Sequence, residues 1–141
     1  EHGPLAFVVV DYVGLVRPSG KKGQTRQQEI GETTRGLKAL GMETGADVLM
    51  LAQLNRDIER RDDAIPTLSD LREAGDIEND SNIVLFVINP EKLNPDTPDK
   101  GKGMLWVSKH RGGKCGKCEL RFNAPLTRFD NLSKWHDVNG Y

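Results

Sequence analysis

The stretch that most constrains this chain is its first apolar run, Leu5-Ala6-Phe7-Val8-Val9-Val10, followed directly by Asp11-Tyr12. Six consecutive apolar residues, rich in β-branched types, predict a strand buried on both faces, as in the interior of a parallel sheet. A carboxylate at the point where such a strand ends has two readings. It can cap the turn that follows an ordinary core strand. It can also face the crevice at the carboxyl ends of the strands, where α/β proteins bind nucleotides and an aspartate holds Mg²⁺ directly or through water.

The residues that follow supply the partner such a strand needs. Residues 13–25 are broken by Pro18, Gly20 and Gly23 and gather Arg17, Lys21 and Lys22, which predicts a basic loop. Residues 26–40 predict a helix, because Ile30, Thr33, Leu37 and Leu40 make one apolar stripe. Gly31, Gly36 and Gly41 each weaken it by up to about 1 kcal/mol relative to alanine, so its formation leans on packing against a sheet. Residues 48–52 form a second apolar run ending at Gln53. Strand, helix and strand at this spacing predict a right-handed parallel crossover, which brings Gln53 to the same sheet edge as Asp11. An uncharged amide there can hydrogen-bond a phosphate or a water, or be an ordinary loop glutamine.

Residues 55–65 are strongly charged and read as an exposed linker closed by Pro66. Ser69 has the character of a helix N-cap before residues 70–74, and Gly75 reads as a break. Residues 83–88 predict a third strand. Residues 89–102, rich in proline, lysine and aspartate, predict a surface loop of disordered composition. Residues 103–108 and 118–123 predict a hairpin with a glycine-rich basic tip, and residues 127–132 a final edge strand. The tail, residues 133–141, carries no pattern that assigns it.

Composition limits what the chain does. With 141 residues it has the length of one domain, and 20 basic against 21 acidic residues leave no global attraction to nucleic acid. No stretch approaches the roughly 18 apolar residues of a membrane helix, so no membrane partner is expected. Two cysteines do not make a secreted disulfide scaffold, which points to a reducing cytoplasm. The start at Glu1, five residues from a core strand, suggests a piece of a longer protein. No G-x-x-x-x-G-K-[ST] phosphate loop and no dinucleotide fingerprint is present, so this stretch alone is not expected to cradle a triphosphate. Cys115-x-x-Cys118 lacks the second ligand pair that structural zinc requires, and no zinc is expected. Lys109 and Arg111, two apart at a strand end, project from one face if the strand is regular. Both cations can then reach one anion, as in a phosphate clamp or an arginine finger.

Four strings, "FVVVDYVGLV", "VLMLAQLNR", "PTLSDLREAGDIENDSNIVLFV" and "VSKHRGGKCGKCELRFNAPLTRFDNL", in this order and spacing, resemble the distal half of the RecA-like motor domain of DnaB-type replicative DNA helicases. "SDLRE-x-G-x-IE-x-D" is the most specific of them. The resemblance covers residues 1–132 and implies a partial RecA-like P-loop NTPase fold of α/β class. That fold is a mostly parallel sheet flanked by helices, with a C-terminal β-hairpin. It implies that Asp11 is the Walker B aspartate serving Mg²⁺ on ATP and that Gln53 is the sensor glutamine coupling the γ-phosphate to DNA. Lys109 and Arg111 match the pair that reaches a neighbouring subunit's ATP, with Arg111 catalytic there. Arg72, Glu73 and Gly75 match the loop on the single-stranded DNA backbone, and Arg17, Lys21 and Lys22 occupy the place of the other channel loop. The implied partners are single-stranded DNA, further copies in a homo-hexamer, a primase and a helicase loader, in a bacterial or phage replisome. The family's phosphate loop and catalytic glutamate precede the Walker B strand and have no counterpart here, which leaves a gap inside the sheet. A RecA-like recombinase or a phage primase–helicase shares the strand plan. From another class, a non-catalytic nucleic-acid-binding module could use the basic hairpin.

Overall fold

The opening apolar run becomes strand β1, Phe7–Val10, which pairs in parallel with β2, Asp47–Met50, with Val8 opposite Val48 and Val10 opposite Met50. These features come from a computed structural model that describes residues 3–17, 23–55, 58, 61, 65–71 and 75–132. The chain divides into two units, Glu1–Asn82 and Ile83–Tyr141. Helix α1, Arg26–Thr44, makes the crossover in the first unit, as the periodicity predicts. Thr25 and Gln28 close a capping box: the Thr25 N–H donates to Gln28 Oε1 at 2.9 Å, and the Gln28 N–H donates to Thr25 Oγ1 at 3.4 Å. At the far end Gly45 adopts φ 71° and its N–H donates to the Gly41 carbonyl at 2.9 Å, so the helix stops at Thr44 rather than at residue 40.

The expectation that β1 is covered on both faces is corrected. Val8, Val10, Val48 and Met50 are half-buried, whereas Phe7 and Val9 on the opposite face are 56% and 55% exposed. Alternating exposure is what a two-stranded ladder shows when a crossover helix covers one side only.

Helix α1 also holds α2, Gly75–Asp80. The hydroxyl of buried Thr34 donates to Asp80 Oδ2 at 2.9 Å, Lys38 Nζ donates to the Asp80 carbonyl at 3.0 Å, and Arg35 pairs with Asp76 at 3.2 Å. The missing Cβ of Gly31 leaves room for the Asp76 carboxylate, which a methyl there would overlap. Gly75 thus begins a helix where the sequence suggests a break.

The residue capping the preceding turn is Thr67 rather than Ser69. In the 3-10 turn Leu68–Asp70, the Asp70 carboxylate accepts from the Thr67 N–H at 2.7 Å and from Thr67 Oγ1 at 2.9 Å, and pairs with Arg61 at 2.6 Å. A threonine-to-aspartate spacing of three satisfies the turn better than a serine one residue before the acid. The Asp70 carbonyl accepts from the Asn55 N–H at 3.1 Å, so the segment after β2 is tied to this turn. Within the expected linker Ile58 is buried.

The second unit is a four-stranded antiparallel sheet in the order β3 (Ile83–Ile88), β4 (Lys102–His110), β5 (Gly116–Asn123), β6 (Arg128–Asn131). Val84, Phe86 and Ile88 are buried, and Ile83, Leu85 and Val87 on the alternate face are exposed. Phe122 and Phe129 stack across β5 and β6 with centroids 5.0 Å apart, and the Phe129 ring lies over Gly103, where a Cβ would meet it at 2.5 Å. The stretch expected to be a disordered surface loop contains a short helix, α3 (Pro90–Leu93), capped by Asn89, and Glu91 Oε2 accepts from the Gly101 N–H at 3.1 Å.

The chain is therefore α/β, with one parallel and one antiparallel sheet. A mostly parallel sheet is not what the described strands form. The connections from β4 to β5 and from β5 to β6 are too short for crossovers and permit only antiparallel neighbours. Among the described residues no helix is long and apolar enough to cross a membrane.

The bonds from Thr67 and then from Arg61 hold the Asp70 carboxyl below the usual carboxylate range, against the opposing effect of its burial. A depressed folded value contributes stability that is complete above the unfolded value of about 3.9 and is lost as pH falls through the lower folded value. Asp70→Asn is expected to flatten the acid limb of the stability curve, read as urea midpoints from neutral pH down to about pH 2. An acid limb as steep as in the parent chain would contradict this role.

Candidate nucleotide and DNA site

In the first unit the β1–β2 pairing continues past the strands. The Leu51 N–H donates to the Val10 carbonyl at 2.9 Å, and the Val13 N–H donates to the Leu51 carbonyl at 2.9 Å. Asp11 leaves the ladder between these two bonds, and Gln53 leaves it two residues beyond Leu51. Both are exposed and both lie at the carboxyl end of the parallel pair, as the crossover predicts. The Asp11–Tyr12 peptide is cis. The turn after it, Val13–Leu15, is anchored by buried Val13 and by Arg26, which donates to the Gly14 carbonyl while pairing with Glu29 at 2.7 Å. The start of α1 thus fixes where Asp11 emerges.

Among the described residues no group of three or more His, Cys, Asp or Glu side chains converges to hold a metal ion. Asp11 offers one carboxylate at a strand end. That donor set does not fit a dedicated cage, but it fits Mg²⁺, which keeps several waters and binds through one or two carboxylates together with substrate phosphates.

Of the expected DNA-contacting residues, Arg17 is exposed just after the Val13–Leu15 turn and Gly75 opens α2. Arg72, Glu73, Lys21 and Lys22 lie outside the described residues. On either side of residues 72–74, Leu71 is buried and α2 is bonded to α1, so both flanks of that segment are fixed.

In the second unit Lys109 is the penultimate residue of β4 and Arg111 is the first residue of the hairpin turn. The regular strand expected through both residues ends at His110. The register runs Leu85 to Val107 and then Val84 to Lys109, so Ser108 is an extra residue that bulges β4. The bulge precedes both residues, and β4 ends at His110, so the alternation of the strand does not extend to Arg111. Lys109 is half-buried and Arg111 exposed. His110 lies over Gly113, where a Cβ would overlap its ring. Cys115 and Cys118 are free thiols, both exposed.

The sequence reading missed the residues that position the site. Thr25-x-x-Gln28 was a visible capping-box signal. Arg26 to Gly14 and Thr34 to Asp80 are long-range pairs with no local signature.

The chain matches the family model described as the DnaB-like helicase C terminal domain over residues 1–131. It is 41% identical to the replicative DNA helicase DnaB of Pasteurella multocida (strain Pm70), over 98% of this chain and 29% of that protein. It is 38% identical to the replicative DNA helicase DnaB of Geobacillus stearothermophilus, over 97% of this chain and 30% of that protein. The chain thus spans about three-tenths of the length of these relatives. A solved structure of an ATPase domain superposes with a TM-score of 0.86 at 33% identity, covering 94% of this chain and 46% of that one. A solved structure of a DnaB-like replicative helicase and its interactions with primase gives a TM-score of 0.86 at 33% identity, covering 94% of this chain and 32% of that one. The strand-end carboxylate, the crossover and the hairpin therefore sit within a chain that belongs to the DnaB-like helicase C-terminal domain family.

Proposed function

We propose that this chain is the distal part of the motor of a hexameric replicative helicase, which couples ATP hydrolysis to movement on single-stranded DNA and duplex unwinding. The observation that carries the reading is the placement of Asp11 and Gln53 together at the carboxyl end of the β1–β2 pair. In this reading Asp11 holds the Mg²⁺ of ATP bound by its own subunit. Magnesium, when bound, neutralises charge on the β- and γ-phosphates. Gln53 hydrogen-bonds the γ-phosphate or the attacking water. Lys109 and Arg111 serve the neighbouring subunit's ATP, where Arg111 offsets charge on the transferring phosphoryl group.

The route from nucleotide to DNA passes through the Asn55–Asp70 backbone bond. Asn55 is two residues after Gln53, and Asp70 is two residues before Arg72. A change at Gln53 is thereby passed to a loop held on its other side by α1. Arg72, Glu73 and Gly75 then grip the DNA backbone, and Arg17, Lys21 and Lys22 add a second contact. The sheet of the complete motor is mostly parallel, completed by strands without counterpart here. The 141-residue chain carries no phosphate loop and by itself does not hydrolyse ATP. A primase and a helicase loader are the protein partners, in the cytoplasm. The solved relative described with primase is in keeping with the first of these.

In a hexamer containing this stretch, Arg111→Ala is expected to lower ATP turnover by roughly 10³-fold or more while leaving assembly intact. Turnover equal to the parent's would remove Arg111 from the neighbour's site. Arg72→Ala is expected to weaken single-strand binding equally for all sequences and to reduce the magnitude of the log K against log[salt] slope by about 0.7. An unchanged slope in a salt titration would remove Arg72 from the backbone contact.

A further inference from the structure

The hairpin between β4 and β5 carries two thiols that the helicase reading does not use. Cys115 immediately precedes β5 and Cys118 is its third residue, opposite Leu105. Both are exposed, and the Cys118 thiol makes only a long contact, 3.8 Å, with the Glu119 carbonyl. Between them, Gly116 and Lys117 make the first two rungs of the ladder, opposite Val107 and Trp106. In this reduced state a disulfide is out of reach. The two strand steps from Gly116 to Cys118 alone cover about 6.6 Å, and Cys115 lies one residue further out. A disulfide needs Cα atoms about 4.4–6.8 Å apart.

The sequence offers another local geometry. Cys115-Gly116-Lys117-Cys118 is a four-residue β-turn sequence with glycine at the second position, where type II′ turns place it, and such a turn brings its end Cα atoms within about 7 Å. A Cβ built on Gly116 meets nothing within 4 Å, so no close packing opposes movement of this segment. Gly112 is equally open, whereas Gly113 lies against the His110 ring on the far side of the tip. Closing the turn exchanges the two outermost rungs of the β4–β5 ladder for one covalent bond.

We propose that Cys115 and Cys118 form a reversible disulfide whose closure peels Gly116 and Lys117 off β4 and so rebuilds the tip that carries Arg111. The oxidant is a small-molecule disulfide of the glutathione class. One thiol, having lost its proton, attacks the oxidant and releases one glutathione thiol; the second attacks the mixed disulfide and releases the other. Two electrons and two protons leave the protein and reduce one glutathione disulfide to two thiols. The consequence for ATP turnover rests on the reading of Arg111 given above; the switch itself does not.

The test treats the full 141-residue chain with oxidised glutathione and measures intact mass, free thiol count and amide hydrogen exchange, with neither ATP nor DNA present. The expected product is a monomer lighter by two hydrogens, with no free thiol. Its amides at Gly116 and Val107, which face each other across the ladder, should exchange at least about tenfold faster, while those of Gly103 and Leu120 keep their protection. Dithiothreitol should restore the original pattern. C118S is expected to stop at one glutathione per chain with unchanged exchange. Stable addition of two glutathiones to the parent chain, disulfide-linked dimers, or a closed disulfide with unchanged exchange at Gly116 and Val107 would each overturn the proposal. None of those results bears on the nucleotide reading.

Discussion

Two backbone hydrogen bonds, Leu51 to Val10 and Val13 to Leu51, carry the parallel pairing of β1 and β2 beyond the strands themselves. Everything proposed for the nucleotide depends on them, because they decide where Asp11 and Gln53 leave the sheet. Parallel pairing is possible only because α1 returns the chain to the starting end of the sheet. The helix in turn depends on its caps. With Gly36 exposed and Gly31 and Gly41 also in its interior, its own propensity is poor, and Thr25, Gln28 and Gly45 define its ends.

A second dependency runs through Asp70. Its carboxylate organises the turn at Thr67 and pairs with Arg61, while its carbonyl holds Asn55. The same residue thus anchors the segment that follows Gln53 and the segment that leads to Arg72. On the far side of Arg72, Thr34, Arg35 and Lys38 hold α2 through Asp76 and Asp80. The described residues that flank positions 72–74 are thus each held, one side by a turn and the other by a helix.

Much of this was legible in the residues. The run ending in Asp11, the stripe on α1 and the run ending in Gln53 imply the crossover, and the third strand falls at the residues its β-branched run marks. Legibility failed where tertiary contacts override local pattern. Six apolar residues look the same whether one or both faces of a strand are covered, so the exposure of Phe7 and Val9 left no trace in the sequence. Gly75 looks like a breaker because its helix is short and is held by α1 rather than by propensity. The bulge at Ser108 has no composition signal, yet it shifts the register with which the end of β4 meets β3. Family membership was legible in the wording of four strings, and the comparisons bear it out over residues 1–131.

The central claim is that Asp11 serves the metal of a bound nucleotide. The most direct measurement is the Mn²⁺ affinity of a hexamer containing this stretch, read by electron paramagnetic resonance with saturating ADP, for the parent and for Asp11→Asn. The account predicts Mn²⁺ affinity roughly 10–100-fold weaker in the variant, with metal-free ADP binding unchanged. Equal Mn²⁺ affinity in the two proteins would contradict it.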